Sequence, residues 1–248
     1  MQPSPTTAVL WDVDLTLVDY SGLGKVWYAE ALADVVGVEM AQSPPWPGRT
    51  ERGLAIGVLE ANDVDWTEEH VEALYAALVR IAERGRSTMA ERGRVLPGVP
   101  EVLAALAAEP SVVQTLVTGN LPELAEVKLA PLGLHTHLDL AVGGYGALSV
   151  DRHVLVEHAV AAVADKYGRR PERVVVVGDT PLDVAGAVAH GAVAVGVATG
   201  RSSVDELAAA GAQVVFPDLS HTTAVLSGLL GTGDSPTGAR PGELRSGA

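Results

Sequence analysis

Cysteine is missing from all 248 residues, which excludes disulfides and thiolate chemistry. Basic residues are few: 17 Lys and Arg face 31 Asp and Glu, a net charge of −14. Such an excess argues against nucleic acid or an anionic membrane surface as the main partner. No apolar run reaches the roughly 18 residues that a membrane helix needs. The first stretch, Met1-Gln2-Pro3-Ser4-Pro5-Thr6-Thr7, has neither the basic residues nor the apolar segment of a signal peptide. These absences point to a soluble, cytoplasmic, globular protein, monomer or homodimer. What is present fits that class, since 48% of residues are apolar and can fill a substantial core.

Ala8-Val9-Leu10-Trp11 reads as a short buried strand. A helical block follows. Helices are expected over 21–36, 50–61 and from Thr67-Glu68-Glu69-His70 onward, where Val71, Leu74, Tyr75, Leu78, Ile81 and Ala82 form one stripe. The prolines around Trp46 mark a loop, and nothing over 19–95 reads as a strand. From 98 the rhythm alternates. Strands are expected at Val112–Val117, Leu138–Val142, Arg173–Val177, Ala192–Val197 and Gln213–Phe216, with helices between them and a last one near 220–230. The unbroken valines of 173–177 suit a strand buried on both faces. The expected fold is therefore α/β, a doubly wound parallel Rossmann-like sheet. About 95 residues separate strands one and two, where a βαβ unit takes about 30. Residues 19–95 are thus expected to be an inserted all-helical cap over a core of 1–18 and 96–230, with 231–248 a disordered tail rich in Gly, Pro and Ser.

Chemistry gathers at the ends of these strands. Asp12 and Asp14 follow strand one. Either they share a face of a continued strand, or the chain turns and the Asp14 carbonyl points at the same spot. Like charges crowded there call for a neutralising partner, and a divalent metal taking oxygen ligands is the usual one. Thr118-Gly119-Asn120 ends strand two. There a hydroxyl stands beside a helix start, Gly119 lets a ligand approach the backbone, and Asn120 is a good N-cap. Gly178-Asp179-Thr180-Pro181-Leu182-Asp183 sets one acid at a strand end and a second one turn later.

In this order, Asp12-x-Asp14-x-Thr16, Thr118 and Gly178-Asp179-x-x-x-Asp183 resemble the haloacid dehalogenase-like superfamily of phosphohydrolases over about residues 8 to 230. The helical block resembles that family's C1-type cap. Val117-Thr118-Gly119-Asn120, Lys128-Leu129, Leu132-Gly133-Leu134 and Gly143-Gly144-Tyr145-Gly146 are most similar to its phosphoglycolate-phosphatase-like branch. Leu15 departs from the pattern, since many members carry Gly there. The resemblance implies a phosphatase for a small phosphorylated metabolite. Asp12 would be the nucleophile and Asp14 the general acid and base. Thr16, Thr118, Gly119 and Asn120 would hold phosphate. Mg2+ would sit on Asp12, the Asp14 carbonyl and Asp179, with Asp183 at the edge of its shell. Phosphomutases and phosphonate hydrolases reuse that core. A phospho-acceptor signalling domain also gathers acids at strand ends, but it has no use for a lid.

Arg49, in the cap, is a candidate for a second anionic group of the substrate. His135 and His137 are read as loop residues, and Trp46 as packing. Two residues compete for the family's basic position. Lys128 falls eight residues past Asn120, about 12 Å along a helix from the phosphate end, and is expected on a solvated face. Arg152, at the start of the helix ahead of strand 173–177, is the expected basic residue, able to grip Asp12 and a phosphate oxygen. On this reading Arg152→Ala costs about a hundredfold and Lys128→Ala less than about threefold.

Overall fold

The structure, a computed structural model, describes residues 5–232. In chain order its strands are β1 Thr7–Trp11, β2 Val18–Asp19, β3 Arg94–Val95, β4 Val112–Thr118, β5 Gly144–Tyr145, β6 Arg173–Gly178, β7 Val193–Val197 and β8 Val214–Phe216. Its α-helices are α1 Leu23–Val36, α2 Glu51–Ala61, α3 Glu68–Gly85, α4 Met89–Arg92, α5 Val99–Ala107, α6 Pro122–Leu129, α7 Arg152–Tyr167, α8 Pro181–Ala189, α9 Val204–Ala209 and α10 Thr222–Leu230. Six strands form a parallel sheet ordered β5-β4-β1-β6-β7-β8. The α/β class expected from the alternating rhythm is the one observed.

β1 lies between β4 and β6, and its side chains alternate between two cores. Val9 and Trp11 pack with α5, α6 and α10, while Ala8 and Leu10 pack with α7 and α8. A strand buried on both faces needs an unbroken apolar run, and Ala8 to Trp11 are wholly buried. Register then fixes the site. Trp11 pairs with Leu116 on one side and Val177 on the other, so the chain leaves all three strands at one edge. Asp12, Thr118 and Asp179 emerge there together.

Three expectations need correction. Leu138–Val142 is not a strand: Leu134–His137 and Leu140–Val142 are 3-10 turns, and the edge strand is the two-residue β5. Asp139 is the cause, since its carboxylate accepts the Ala141 amide at 3.3 Å and turns the chain. The block over 19–95 is helical inside but not strand-free at its ends. β2 and β3 pair antiparallel, Val18 with Val95 and Asp19 with Arg94, and tie the entry of the block to its exit. Two-residue strands carry no periodicity, so pattern could not reveal them. Finally, Asn120 does not cap α6: Leu121 holds that position without a side-chain cap. Past Thr232, the expected tail lies outside the described residues.

Candidate active site

After β1 the chain turns. The Val13 carbonyl accepts the amides of Leu17 and Val18, at 2.9 and 3.1 Å, which selects the turn over a continued strand. Leu15 takes φ +60° in that turn, in the left-handed region. Leu at this position, where the resemblance leads one to expect Gly, therefore carries a strain of about 1 kcal/mol. The Leu15 carbonyl is anchored by the Thr199 hydroxyl at 2.6 Å.

The two acids of the turn face different partners. Asp12 is buried and its Oδ1 accepts from Arg152 Nη2 at 2.6 Å. The same Nη2 lies 2.6 Å from Asp183 Oδ1. Arg152 opens α7, as expected, and its Nη1 also donates to the Gly48 carbonyl at 3.2 Å. Asp14, by contrast, meets Lys128. Lys128 Nζ lies 2.8 and 2.6 Å from the two carboxylate oxygens and 2.6 Å from Asn120 Oδ1. Asn120 Nδ2 donates to Asp14 Oδ2 and to Thr118 Oγ1, both at 2.8 Å. Asn120 thus fastens the acid to the hydroxyl instead of capping a helix.

Lys128 corrects the sequence reading outright. It is 7% exposed, not on a solvated face. α6 begins at Pro122, so Lys128 stands about 9 Å from the helix start, and helical side chains lean back toward the N-terminus. Asp14 and Asn120 reach out to meet it. The site therefore has two basic residues, one on each aspartate.

Asp12, Asp179 and Asp183 offer carboxylate oxygens within 4.8 Å of one another, all buried. Burial pushes Asp12 upward, with Asp183 and Asp14 adding to the rise and Arg152 opposing it. Asp179 is also raised, first by burial and then by Asp12 and Asp183. Asp183 Oδ2 accepts the Thr180 amide and hydroxyl at 3.1 and 2.6 Å in a capping box. Its Oδ1 is buried with no hydrogen bond of good geometry. Three crowded, buried carboxylates offering hard oxygens fit a divalent cation, which would reverse these upward shifts.

Thr118 accepts from Asn120, leaving its hydroxyl proton to donate into the cavity it lines. Gly119 faces the cap: a Cβ there would lie 2.1 Å from the Arg49 carbonyl oxygen. Across this contact the Glu51 amide donates to the Gly119 carbonyl at 2.7 Å, and the Arg52 amide to Gly146 at 2.9 Å. Thr16 stands apart, wholly buried, with an unpartnered hydroxyl and outside the cavity lining. Arg49 is exposed, and its Nη1 lies 3.8 Å from where a Gly57 Cβ would be, along the flank of α2.

Between the helical block and the sheet lies a cavity of about 320 Å³, lined by Asp12, Asp14, Thr118, Lys128 and Arg152 together with cap residues. Among these are Trp46, which is in edge contact with Tyr28 at 5.3 Å, and Glu51. Sequence reasoning missed Glu51 and Tyr28. A helix was expected over 50–61, and the Thr50 side chain caps α2, but no pattern announces a buried glutamate.

The model of the haloacid dehalogenase-like hydrolase family matches residues 6–191. The chain belongs to that family. No curated protein matches it. Among solved structures, a hydrolase from Pseudomonas syringae is 23% identical, with TM-score 0.62 over 90% of this chain and 98% of that one. A beta-phosphoglucomutase from Clostridium difficile is 14% identical, with TM-score 0.64 over 92% and 98%. A protein described as a predicted phosphoglycolate phosphatase from Haemophilus somnus 129PT is 19% identical, with TM-score 0.63 over 91% and 99%. At these identities the likeness speaks for the fold. Among the described residues no helix is long and apolar enough to cross a membrane.

Proposed function

We propose that this chain is a Mg2+-dependent phosphatase that hydrolyses a small phosphomonoester through an aspartyl-phosphate. The observation that carries the reading is the pairing of each motif aspartate with a cation at one cavity: Asp12 with Arg152, and Asp14 with Lys128. Asp12 attacks phosphorus and takes the phosphoryl group, which splits one displacement into two. Arg152 keeps the nucleophile ionised and aimed, and its charge offsets that of the incoming phosphate. Asp14 gives its proton to the leaving oxygen and later takes one from the attacking water. Thr118 donates to a phosphate oxygen. Asp12, Asp179, the Asp14 carbonyl and Asp183 would hold Mg2+, which supplies electrostatic stabilisation of the transferring group.

Phosphatase and phosphoglucomutase names both occur among the structural neighbours, so phosphoryl transfer to a second sugar site is the alternative. The test is phosphate release from p-nitrophenyl phosphate with and without Mg2+, for the wild type and Asp12→Asn. Release should require the metal and should fall below about one per cent in the variant. Full activity in EDTA, or in Asp12→Asn, refutes the assignment.

A further inference from the structure

Glu51 is the buried acid that phosphoryl transfer leaves unused. It opens α2, is 7% exposed, and lines the cavity beside Asp14, Thr118 and Lys128. Its placement is rigid. Its backbone amide is bound to the Gly119 carbonyl at 2.7 Å, and its Oε2 accepts the Tyr28 hydroxyl at 2.6 Å. Tyr28 is itself held against Trp46. Tyr28 is the only described residue that hydrogen-bonds the carboxylate, leaving Oε1 free for a ligand. The cation whose charge it feels, Lys128, already holds Asp14 at 2.6 and 2.8 Å. The lining also carries the apolar and aromatic side chains of Tyr20, Trp27, Leu54, Leu78 and Leu124.

A buried carboxylate without a cation of its own needs a hydrogen-bond donor. We propose that Glu51, positioned by Tyr28, is a specificity site for the leaving group, accepting an alcohol that carries a hydroxyl or ammonium donor and refusing one that carries a carboxylate. The inference rests on the phosphatase reading. In a two-carbon ester, a carboxylate on the leaving group lies within a few ångströms of the ester oxygen, hence of Asp14. There it would meet two acids and one committed lysine. Lys25, Arg49 and Arg201 also line the cavity, but all three are solvent-exposed. Burial pushes the Glu51 carboxyl up to about 7, against the pull of Tyr28 and Lys128, so at pH 8 it is charged.

The experiment measures phosphate release at pH 8 with Mg2+ from glycerol 3-phosphate, phosphoethanolamine, phosphoglycolate and p-nitrophenyl phosphate. In the wild type, kcat/KM for the better of the first two should exceed that for phosphoglycolate at least tenfold, and which of them wins tells hydroxyl from ammonium. Glu51→Gln, neutral and able to donate, should narrow that ratio at least tenfold, chiefly through the KM for phosphoglycolate. Phosphoglycolate turned over as well as the best donor substrate by the wild type overturns the inference whether or not the variant folds. So does a ratio unmoved in a folded Glu51→Gln. Release from p-nitrophenyl phosphate alongside either result leaves the phosphatase reading standing. No release from any of the four refutes that reading, and the specificity site with it.

Discussion

Asp14 can act as an acid and then as a base only if its carboxyl group points at the leaving oxygen. Lys128 and Asn120 secure that aim, since together they bind both oxygens of Asp14. Lys128→Ala should therefore lower kcat/KM by tenfold or more, about 1.4 kcal/mol. An unchanged kcat/KM would make Lys128 a packing residue. Arg152→Ala should cost about a hundredfold, because Asp12 would be left buried and unpaired. Glu51 gives a stability prediction. Its folded-state value of about 7 lies above the ordinary 4.5, so the folded protein holds this proton more tightly than the unfolded chain. Stability from this group is complete below about pH 4.5 and is lost as pH rises through 7, by up to about 3 kcal/mol. The melting temperature of Glu51→Gln relative to wild type should therefore climb between pH 5 and pH 8. A constant difference would place the Glu51 carboxyl in a wetter setting. The buried state of Glu51 could not be read from the sequence, where a glutamate after a threonine is simply a helix start.

At the scale of elements, the sequence spoke through repetition. The valines of β6 and the stripe of α3 mark long, strongly patterned segments, and both lie where expected. Asp12, Thr118 and Asp179 follow such strands, and parallel register brings them to one edge. Short-range chemistry stayed hidden. The Asp139 turn replaces a strand, the β2–β3 pair has no pattern, and Asn120 gives up capping for Asp14. Gly119 is the instructive case. Its lack of a side chain suggested room for a ligand, whereas the nearest obstacle is the cap carbonyl of Arg49. Gly119→Ala should consequently keep the core folded, with a melting temperature within a few degrees of wild type, and lower kcat/KM at least tenfold by holding the cap off. A variant of normal activity would show that the Arg49–Gly119 approach is dispensable.

For the whole molecule, the question is whether the block between β2 and β3 moves. The cavity is covered by contacts from both sides: Glu51 and Arg52 amides on core carbonyls, Arg152 on Gly48, and Tyr20 on the Lys128 carbonyl at 3.0 Å. A substrate as large as a phosphorylated metabolite has to part at least some of them to enter. If the block lifts, the bend is expected in the segments entering and leaving it, where β2 and β3 hold only two residues each. Arg86, after α3, and Glu126, on α6, form an exposed ion pair at 3.0 Å across the same divide. Exposed pairs contribute little to stability, so both positions can be altered without harm to the fold. The chain has no cysteine, and an Arg86→Cys, Glu126→Cys double variant would therefore carry the only two thiols. Joining them with a short bis-maleimide should hold the cap down and remove most turnover, while the unlinked variant stays within a few-fold of wild type. If the linked protein turns over substrate at the full rate, entry does not require this side of the cap to lift, and the hinge assigned to β2 and β3 is wrong.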